Sequence, residues 1–292
     1  MKAGFVAILG RPNVGKSTLL NALLSKRISI VSPKAQTTRD DIVGVYNGKD
    51  LQIAFIDTPG LFDGEEALYK RMNRNARRSL SGVDAVLYLV DASSKDLEED
   101  IAILTSIKVD APIFIVYNKI DLVRAPEAIE AKERLAASFP DYPIIEASIL
   151  TNFGIASILD AVKAALPEGL PLFPEGQISD KDDKFFAKES IRQYMLRFLH
   201  EEVPHESAVL VKKLEVKDGT YEIEAVIYVE KPSQKAIVIG RGGAMIKQIS
   251  MSARRDLEKR WKAHVRLDVR VEVLKNWRAD PKLLAFLGYD GK

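Results

Sequence analysis

Residues 10–17 read Gly10-Arg11-Pro12-Asn13-Val14-Gly15-Lys16-Ser17. This is a glycine-x4-glycine-lysine-serine spacing, set directly after the apolar run Phe5–Leu9 and directly before the helical pattern STLLNALLS. A loop of this kind between a strand and a helix is built to hold a polyphosphate. The backbone N–H groups of Asn13 to Ser17 can surround a β-phosphate, and Gly10, Arg11, Pro12 and Thr18 complete the cradle. Lys16 can place its ammonium against the β- and γ-phosphates, and the Ser17 hydroxyl can ligate magnesium. The positive end of the helix dipole adds to all three.

The cradle does not choose a base, but the segment Asn118-Lys119-Ile120-Asp121 does. It comes after the apolar run IFIVY, which sets it at the carboxyl edge of the same sheet, where open α/β folds bind ligands. A carboxylate only accepts, so Asp121 can take both N1–H and N2–H2 of guanine; adenine offers no such pair. Asn118 can bind the other edge of the base or tie its loop to the phosphate loop, and the stem of Lys119 can cover the ring. Asp57-Thr58-Pro59-Gly60 closes the strand LQIAFI. Asp57 is placed to hold magnesium through water. The Gly60 N–H can touch a γ-phosphate and lose that contact on hydrolysis, which is how GTPases switch between order and disorder. The stretch QTTRDD, residues 36–41, supplies the other switch, the first of the two along the chain. A threonine hydroxyl there completes the magnesium shell, with Thr38 preferred and Thr37 the alternative. Lys16, Thr38, Gly60 and Asn13 are thus the candidate catalytic residues, and Ser17, Thr38 and Asp57 the metal ligands.

Two features depart from the usual pattern. In EASILTNFG, residues 146–154, Ser148 and Ile149 occupy the place of the last guanine-site motif. There Ile149 stands where alanine is normal, and Asn152 and Gly154 are exchanged. Leu61 occupies the position where Ras-like GTPases carry the glutamine that orients the attacking water. Slow intrinsic turnover, with a catalytic element supplied differently, is the expectation.

A second glycine turn lies far along the chain, in IVIGRGGAMIKQI, residues 237–249. A dinucleotide reading needs a strand before the turn. Here a short helical run precedes it and a basic helix comes next, which resembles a KH domain of the prokaryotic type with Gly240-Arg241-Gly242-Gly243 as its loop. Such a loop clamps the backbone of about four single-stranded nucleotides. Ile239 and Ile246 line the groove with Ile237 and Ile249, while Lys247, Arg254 and Arg255 are available for phosphates.

The elements around these motifs can be read from patterning. Strands are expected at Phe5–Leu9, Ile42–Tyr46, Gln52–Ile56, Ala85–Val90, Ile113–Tyr117 and Ile144–Ala147, with helical runs between most of them. That alternation predicts an α/β domain whose mostly parallel sheet has helices on both faces, over residues 1–168. Residues 166–177, LPEGLPLFPEGQ, break the pattern, so a linker is assigned to residues 169–184. Residues 185–292 then read α-β-β-α-α-β, a small α+β domain with a hairpin turn at Lys217-Asp218-Gly219.

The chain has 292 residues, 47% of them hydrophobic, which is enough for two real cores. Its net charge of +2 divides unevenly: residues 1–178 carry −3, residues 179–292 carry +5, and residues 231–278 alone +9. A concentrated basic region is the footprint of a nucleic-acid or anionic-membrane binder. The absence of cysteine excludes thiolate chemistry and disulfides and suits a reducing compartment. The amino-terminal apolar run is too brief for a signal peptide, and no membrane span is expected.

Taken as a whole, the chain resembles the Era family, bacterial ribosome-assembly GTPases of the TrmE–Era–EngA-like group with a C-terminal type 2 KH domain. The motifs above carry the resemblance, together with IRQYMLRFLHEEVPHESAV and VRLDVRVEVLKNWR. It implies GTP as substrate, Mg2+ as cofactor, and K+ as a further candidate held by Asn13. It also implies binding of the 3′ end of 16S ribosomal RNA and a role in maturation of the 30S subunit. A monomer is expected, cytoplasmic and peripherally associated with the inner membrane face. A tRNA-modification GTPase would carry a C-terminal cysteine, and a double-G-domain GTPase a second phosphate loop; neither is present. An RNA-binding protein with a purely structural nucleotide site is the remaining alternative.

Overall fold

The computed structural model describes residues 1–292 apart from 33, 35–36, 59–79, 95 and 290–292. The expected roles of Pro59, Gly60 and Leu61 therefore lie outside the described residues. The chain divides into two compact units. One contains Met1–Ser29 and runs on to Asp180; the other begins at Lys181 and also takes in Ile30–Thr37.

In the first unit β1 (Lys2–Gly10) leads into α1 (Lys16–Leu24), then β2 (Ile42–Gly48) and β3 (Leu51–Asp57). Next come β4 (Ala85–Asp91), α2 (Glu98–Ser106), β5 (Ile113–Asn118), α3 (Ala125–Ser138), β6 (Ile144–Glu146) and α4 (Ile155–Ala165). The sheet order is β2-β3-β1-β4-β5-β6. Only β2 and β3 pair antiparallel. Burial on both faces explains the unbroken apolar runs: Ala85 to Val90 are all fully enclosed. Because β1 lies between β3 and β4, the order of connection reverses beside it, and ligand crevices open at such a point. Gly10, Asp57 and Asn118 end three parallel strands on that same edge.

The segment assigned as a linker is mostly built into this unit. Gly169 N donates to Met1 O (2.9 Å) and Val45 N to Ile178 O (3.0 Å). The Gln52 side chain accepts from Leu172 N (2.7 Å) and Phe173 N (2.9 Å). Proline and glycine there prevent a helix, yet the extended backbone still satisfies the sheet's edge.

In the second unit α5 (Asp183–Phe198) opens on an Asp182 cap, whose side chain accepts from Phe185 N. After it come β7 (Ser207–Lys217), β8 (Thr220–Val229), α6 (Pro232–Ile239), α7 (Ala244–Trp261), β9 (His264–Val273) and α8 (Pro281–Phe286). The three strands lie in the order β7-β8-β9, antiparallel then parallel. Asp218 and Gly219, with φ of 50° and 73°, make the tight turn of the β7–β8 hairpin. Ile191 and Met195 of α5, Ile227 of β8, Ile249 and Ala253 of α7 and Val271 of β9 share one core. The α-β-β-α-α-β order agrees with the sequence reading. The segment beyond β9 adds to it: Trp277 and Tyr289 are both fully buried, and Trp277 Nε1 donates to Glu206 O (3.0 Å). Among the described residues no helix is long and apolar enough to cross a membrane.

Candidate nucleotide and nucleic-acid sites

The loop between β1 and α1 owes its shape to left-handed backbone at three positions. Gly10 has φ 140°, Asn13 φ 62° and Gly15 φ 108°. A Cβ on Gly15 would fall 2.6 Å from Asn118 Nδ2, so only glycine lets the two loops approach. Asn13 is exposed, and asparagine tolerates its conformation better than most residues do. The Lys16 ammonium lies folded over the loop, donating to Gly10 O (2.8 Å) and Arg11 O (2.7 Å). Burial lowers its pKa to about 8, against the pull of Asp57 and Asp100. Arg11 bridges to Glu99 (2.6 Å) and Asp100 (3.4 Å) on α2, where Asp100 also accepts from Tyr88 Oη (2.9 Å).

Three hard oxygens meet beneath the loop. Ser17 Oγ is 2.9 Å from Thr38 Oγ1 and donates to Asp57 Oδ2 at 2.8 Å. Thr37 goes elsewhere: its hydroxyl donates to Lys34 O at 2.7 Å. Asp57 is fully buried, and burial raises its pKa against opposition from Ser17, Ser29 and Lys16. Its Oδ1 has no hydrogen-bond partner. An orphaned carboxylate oxygen beside two hydroxyls suits a small, hard cation that takes its remaining ligands from phosphate and water. Among the described residues no three acidic, histidine or cysteine side chains cluster. Thr58 Oγ1 donates to Ile8 O (3.0 Å), which anchors the end of β3.

Asn118 takes the tying role of its two expected ones. Nδ2 donates to Val14 O (2.8 Å), and Oδ1 accepts from Ile149 N (3.2 Å). One amide thus joins three motifs. Lys119, at φ 67°, pairs with Asp91 at 2.5 Å. Burial favours the neutral Asp91 carboxyl, but hydrogen bonds from Lys119 and Ser93 outweigh it and hold the pKa below its ordinary value. Asp121 stands exposed on the next turn, free to meet a base. Ser148 keeps a buried hydroxyl without a partner, and Ile149 is buried against the phosphate loop. The exchanged Asn152 and Gly154 both adopt positive φ, 61° and 81°. Glycine is needed at 154, where a Cβ would lie 2.4 Å from Glu146 O.

Ser29 joins the site without any motif to announce it. Its buried hydroxyl donates to Asp57 Oδ2 (2.8 Å), and Asn21 Oδ1 fixes it by accepting from Ser29 N (3.0 Å). No local spacing signals a serine that reaches a carboxylate 28 residues away.

In the second unit Gly240 has φ 74° and ψ 172°, a conformation open essentially to glycine alone. A Cβ there would meet Met245 Cβ at 2.7 Å, whereas nothing lies within 4 Å at Gly242 or Gly243. Arg241, Lys247, Arg254 and Arg255 are all exposed. The last three share one face of α7, since residues seven and eight apart return to the same side. Met251, 37% exposed, adds an apolar side chain to that basic face, and Ile237 on α6 is 49% exposed. Ile239 and Ile246 are half-buried against the core, and Ile249 is fully within it.

Comparison with known proteins agrees with this division. A family model described as "50S ribosome-binding GTPase" matches residues 5–119, and one for the KH domain matches residues 202–278. The GTPase Era of Lacticaseibacillus paracasei is 41% identical over 292 residues, covering 99% of this chain and 97% of the relative. That of Geotalea uraniireducens is 40% identical, covering 99% and 98%. A crystal structure of Era with MgGDPNP and nucleotides 1506–1542 of 16S ribosomal RNA superimposes with a TM-score of 0.94, at 35% identity and 99% coverage of both chains. An Aquifex aeolicus Era variant bound to GDP and AlF4− matches with the same TM-score, identity and coverage.

Proposed function

The chain belongs to the Era family of GTPases, and from that membership, taken with the geometry of the phosphate loop, we propose that it hydrolyses GTP while gripping the 3′ end of 16S ribosomal RNA during processing and assembly of the 30S subunit. One observation carries this reading above the others. A magnesium-suited oxygen cluster and a guanine-selecting carboxylate lie on one edge of one sheet, in a chain that also carries a positive-φ glycine loop beside a basic helix.

In this assignment Gly10 to Thr18 enclose the phosphates and Lys16 neutralises the charge that grows toward the β–γ bridge. Ser17, Thr38 and Asp57 hold magnesium, which when bound offsets phosphate charge and fixes the γ-phosphoryl group for in-line attack. Thr58, Pro59 and Gly60 track the γ-phosphate. Asp121 reads guanine, Asn118 ties its loop to the phosphate loop, the stem of Lys119 covers the ring, and Ser148 and Ile149 offer backbone N–H groups. Asn13 is assigned to potassium, which would act on the phosphates in place of an arginine finger. Ordering of the two switch segments by GTP changes access to the RNA groove formed by Ile239, Gly240, Arg241, Gly242, Gly243, Ile246, Lys247, Arg254 and Arg255. The protein acts as a monomer in the cytoplasm, with loose attachment to the inner membrane face that the basic half of the chain supports.

Phosphate release, measured with and without small subunits and in potassium against sodium, tests the enzymatic part. Stimulation by both is expected, and identical rates throughout would remove it. Thr38→Ala should lower magnesium-dependent turnover by at least about tenfold, the scale of one lost transition-state ligand. Thr37→Ala should leave it unchanged. Binding of a labelled 3′-end oligonucleotide, compared between GDP and a non-hydrolysable GTP analogue, tests the switching.

A further inference from the structure

One boundary between the two compact units falls on the peptide bond joining Thr37 to Thr38. On one side, Thr38 Oγ1 lies in the oxygen cluster with Ser17 and Asp57. On the other, the carbonyl of Thr37 accepts from Arg192 Nη2 on α5 at 2.7 Å. Arg192 is itself held by Glu189 one turn earlier, with Nη1 to Oε1 at 2.7 Å. The pair is nearly shut off from water, with side chains 4% and 8% exposed.

A buried ion pair is a poor device for stability, because desolvation consumes most of what attraction returns. Its strength is direction. A guanidinium presents donors in a rigid fork, so an arginine locked through one nitrogen aims the other at a fixed point. Here that point is a main-chain carbonyl in the first switch segment. The same segment is tied to α5 a second time, where Lys34 Nζ donates to Leu199 O at the helix's C-terminal end. Thr37 Oγ1 also donates to Lys34 O.

Other residues of α5 lead to the RNA helix. Ile191 and Met195 pack in the core that contains Ile249 and Ala253 of α7. Ser190, between Glu189 and Arg192, donates from Oγ to Ala253 O (3.2 Å) and to Asp256 Oδ2 (3.2 Å). Ala253 and Asp256 flank the exposed pair Arg254 and Arg255.

We propose that Arg192, locked by Glu189, receives the state of the first switch through the Thr37 carbonyl and passes it along α5 to the basic face of α7. Arg192 is a positioning residue in this scheme, since it touches neither nucleotide nor RNA. The inference rests on the reading that nucleotide state alters RNA affinity, and it names the contact that carries the effect.

The test uses the full chain, a fluorescent 3′-end RNA oligonucleotide, and either GDP or a non-hydrolysable GTP analogue. The readout is the ratio of the two RNA dissociation constants, together with the factor by which RNA changes the ratio of the GDP to the analogue dissociation constant. Linkage requires the two factors to be equal. In the paired variant Glu189→Leu with Arg192→Met, which leaves no unpaired buried charge, the ratio is expected to fall to within about twofold of one, from a wild-type coupling that typically lies between about five- and 150-fold. RNA affinity in GDP, and analogue affinity without RNA, should stay near wild type. Lys34→Met and Arg192→Lys, which leave the core intact, should reduce the ratio in part, and they decide the matter if thermal melts show the paired variant unfolded. A ratio that persists in the folded variants overturns the role of Arg192 and leaves the switching reading standing. So does an equal loss of RNA affinity in both nucleotide states. A wild-type ratio of one overturns the switching reading, and this inference with it.

Discussion

In the proposed site the base choice rests on Asp121, whose carboxylate can accept two donors from guanine. Asp121→Asn keeps one acceptor and gains a donor, a pattern that fits xanthine better than guanine. GTP affinity should fall by roughly 2–3 kcal/mol, the scale of a charge-assisted hydrogen bond lost with its partner left unpaired. Xanthosine triphosphate should bind better than it does to the wild type, and competition titration reads both. Lys16 supplies a pH dependence with two opposite signs. Burial holds its pKa to about 8, below the ordinary value of 10.5. Between those pH values an unfolded chain keeps the proton that the folded, nucleotide-free protein has lost. Stability of the nucleotide-free protein should therefore rise with pH across that window. Nucleotide binding should go the other way, because bound phosphates favour the ammonium and proton uptake becomes part of binding. GTP affinity should be flat below pH 8 and fall by up to about tenfold per pH unit above it. Calorimetry in buffers of different ionisation enthalpy measures that uptake directly, and Lys16→Met should abolish it.

At the scale of elements, glycine loops show what a sequence can disclose. Gly240 and Gly242 both sit at positive φ, 74° and 59°, but only Gly240 is also crowded by Met245. Gly240→Ala should therefore lower both the melting temperature and RNA affinity. Gly242→Ala should cost only the ~1 kcal/mol of placing a Cβ in left-handed backbone. Thermal melts and RNA titration of the two variants side by side check the contrast. The turns, the strands that feed them and the helices they open were legible because each phosphate contact demands particular residue types at fixed local spacing. The ties between elements were not. Ser29 on Asp57, Asp100 between Arg11 and Tyr88, and Arg192 on Thr37 join residues that only the folded chain brings together. The seating of the linker assigned to residues 169–184 was not legible for the same reason: proline and glycine gave the composition of a tether, while hydrogen bonds join Gly169, Leu172, Phe173 and Ile178 to β2, β3 and the chain's first residue. The burial of Trp277 and Tyr289 was not legible because a short apolar run past the last strand has no period to read.

For the molecule as a whole, the uneven distribution of charge separates two kinds of binding by their response to salt. In the proposed site the nucleotide is held in the acidic part of the chain by buried groups and backbone N–H donors, which counterions screen little. RNA meets exposed cations, and each phosphate neutralised on a single strand releases counterions in proportion. Arg241, Lys247, Arg254 and Arg255 are the four exposed cations on the loop and the adjoining helix face that the site assigns to RNA. If each meets one phosphate, the logarithm of RNA affinity should fall against the logarithm of salt with a slope of about −3, since single strands contribute roughly −0.7 per contact. Replacing any one of them by glutamine should make the slope shallower by about 0.7 and weaken binding for every sequence alike, because phosphate contacts carry no sequence information. GTP affinity over the same salt range should change far less and stay unaffected by these substitutions. A variant that alters sequence preference while keeping the wild-type slope would move its residue from phosphate to base. A slope near zero in the wild type would mean that stacking and the glycine loop hold the RNA without the helix face, and that the +9 charge of residues 231–278 serves another surface.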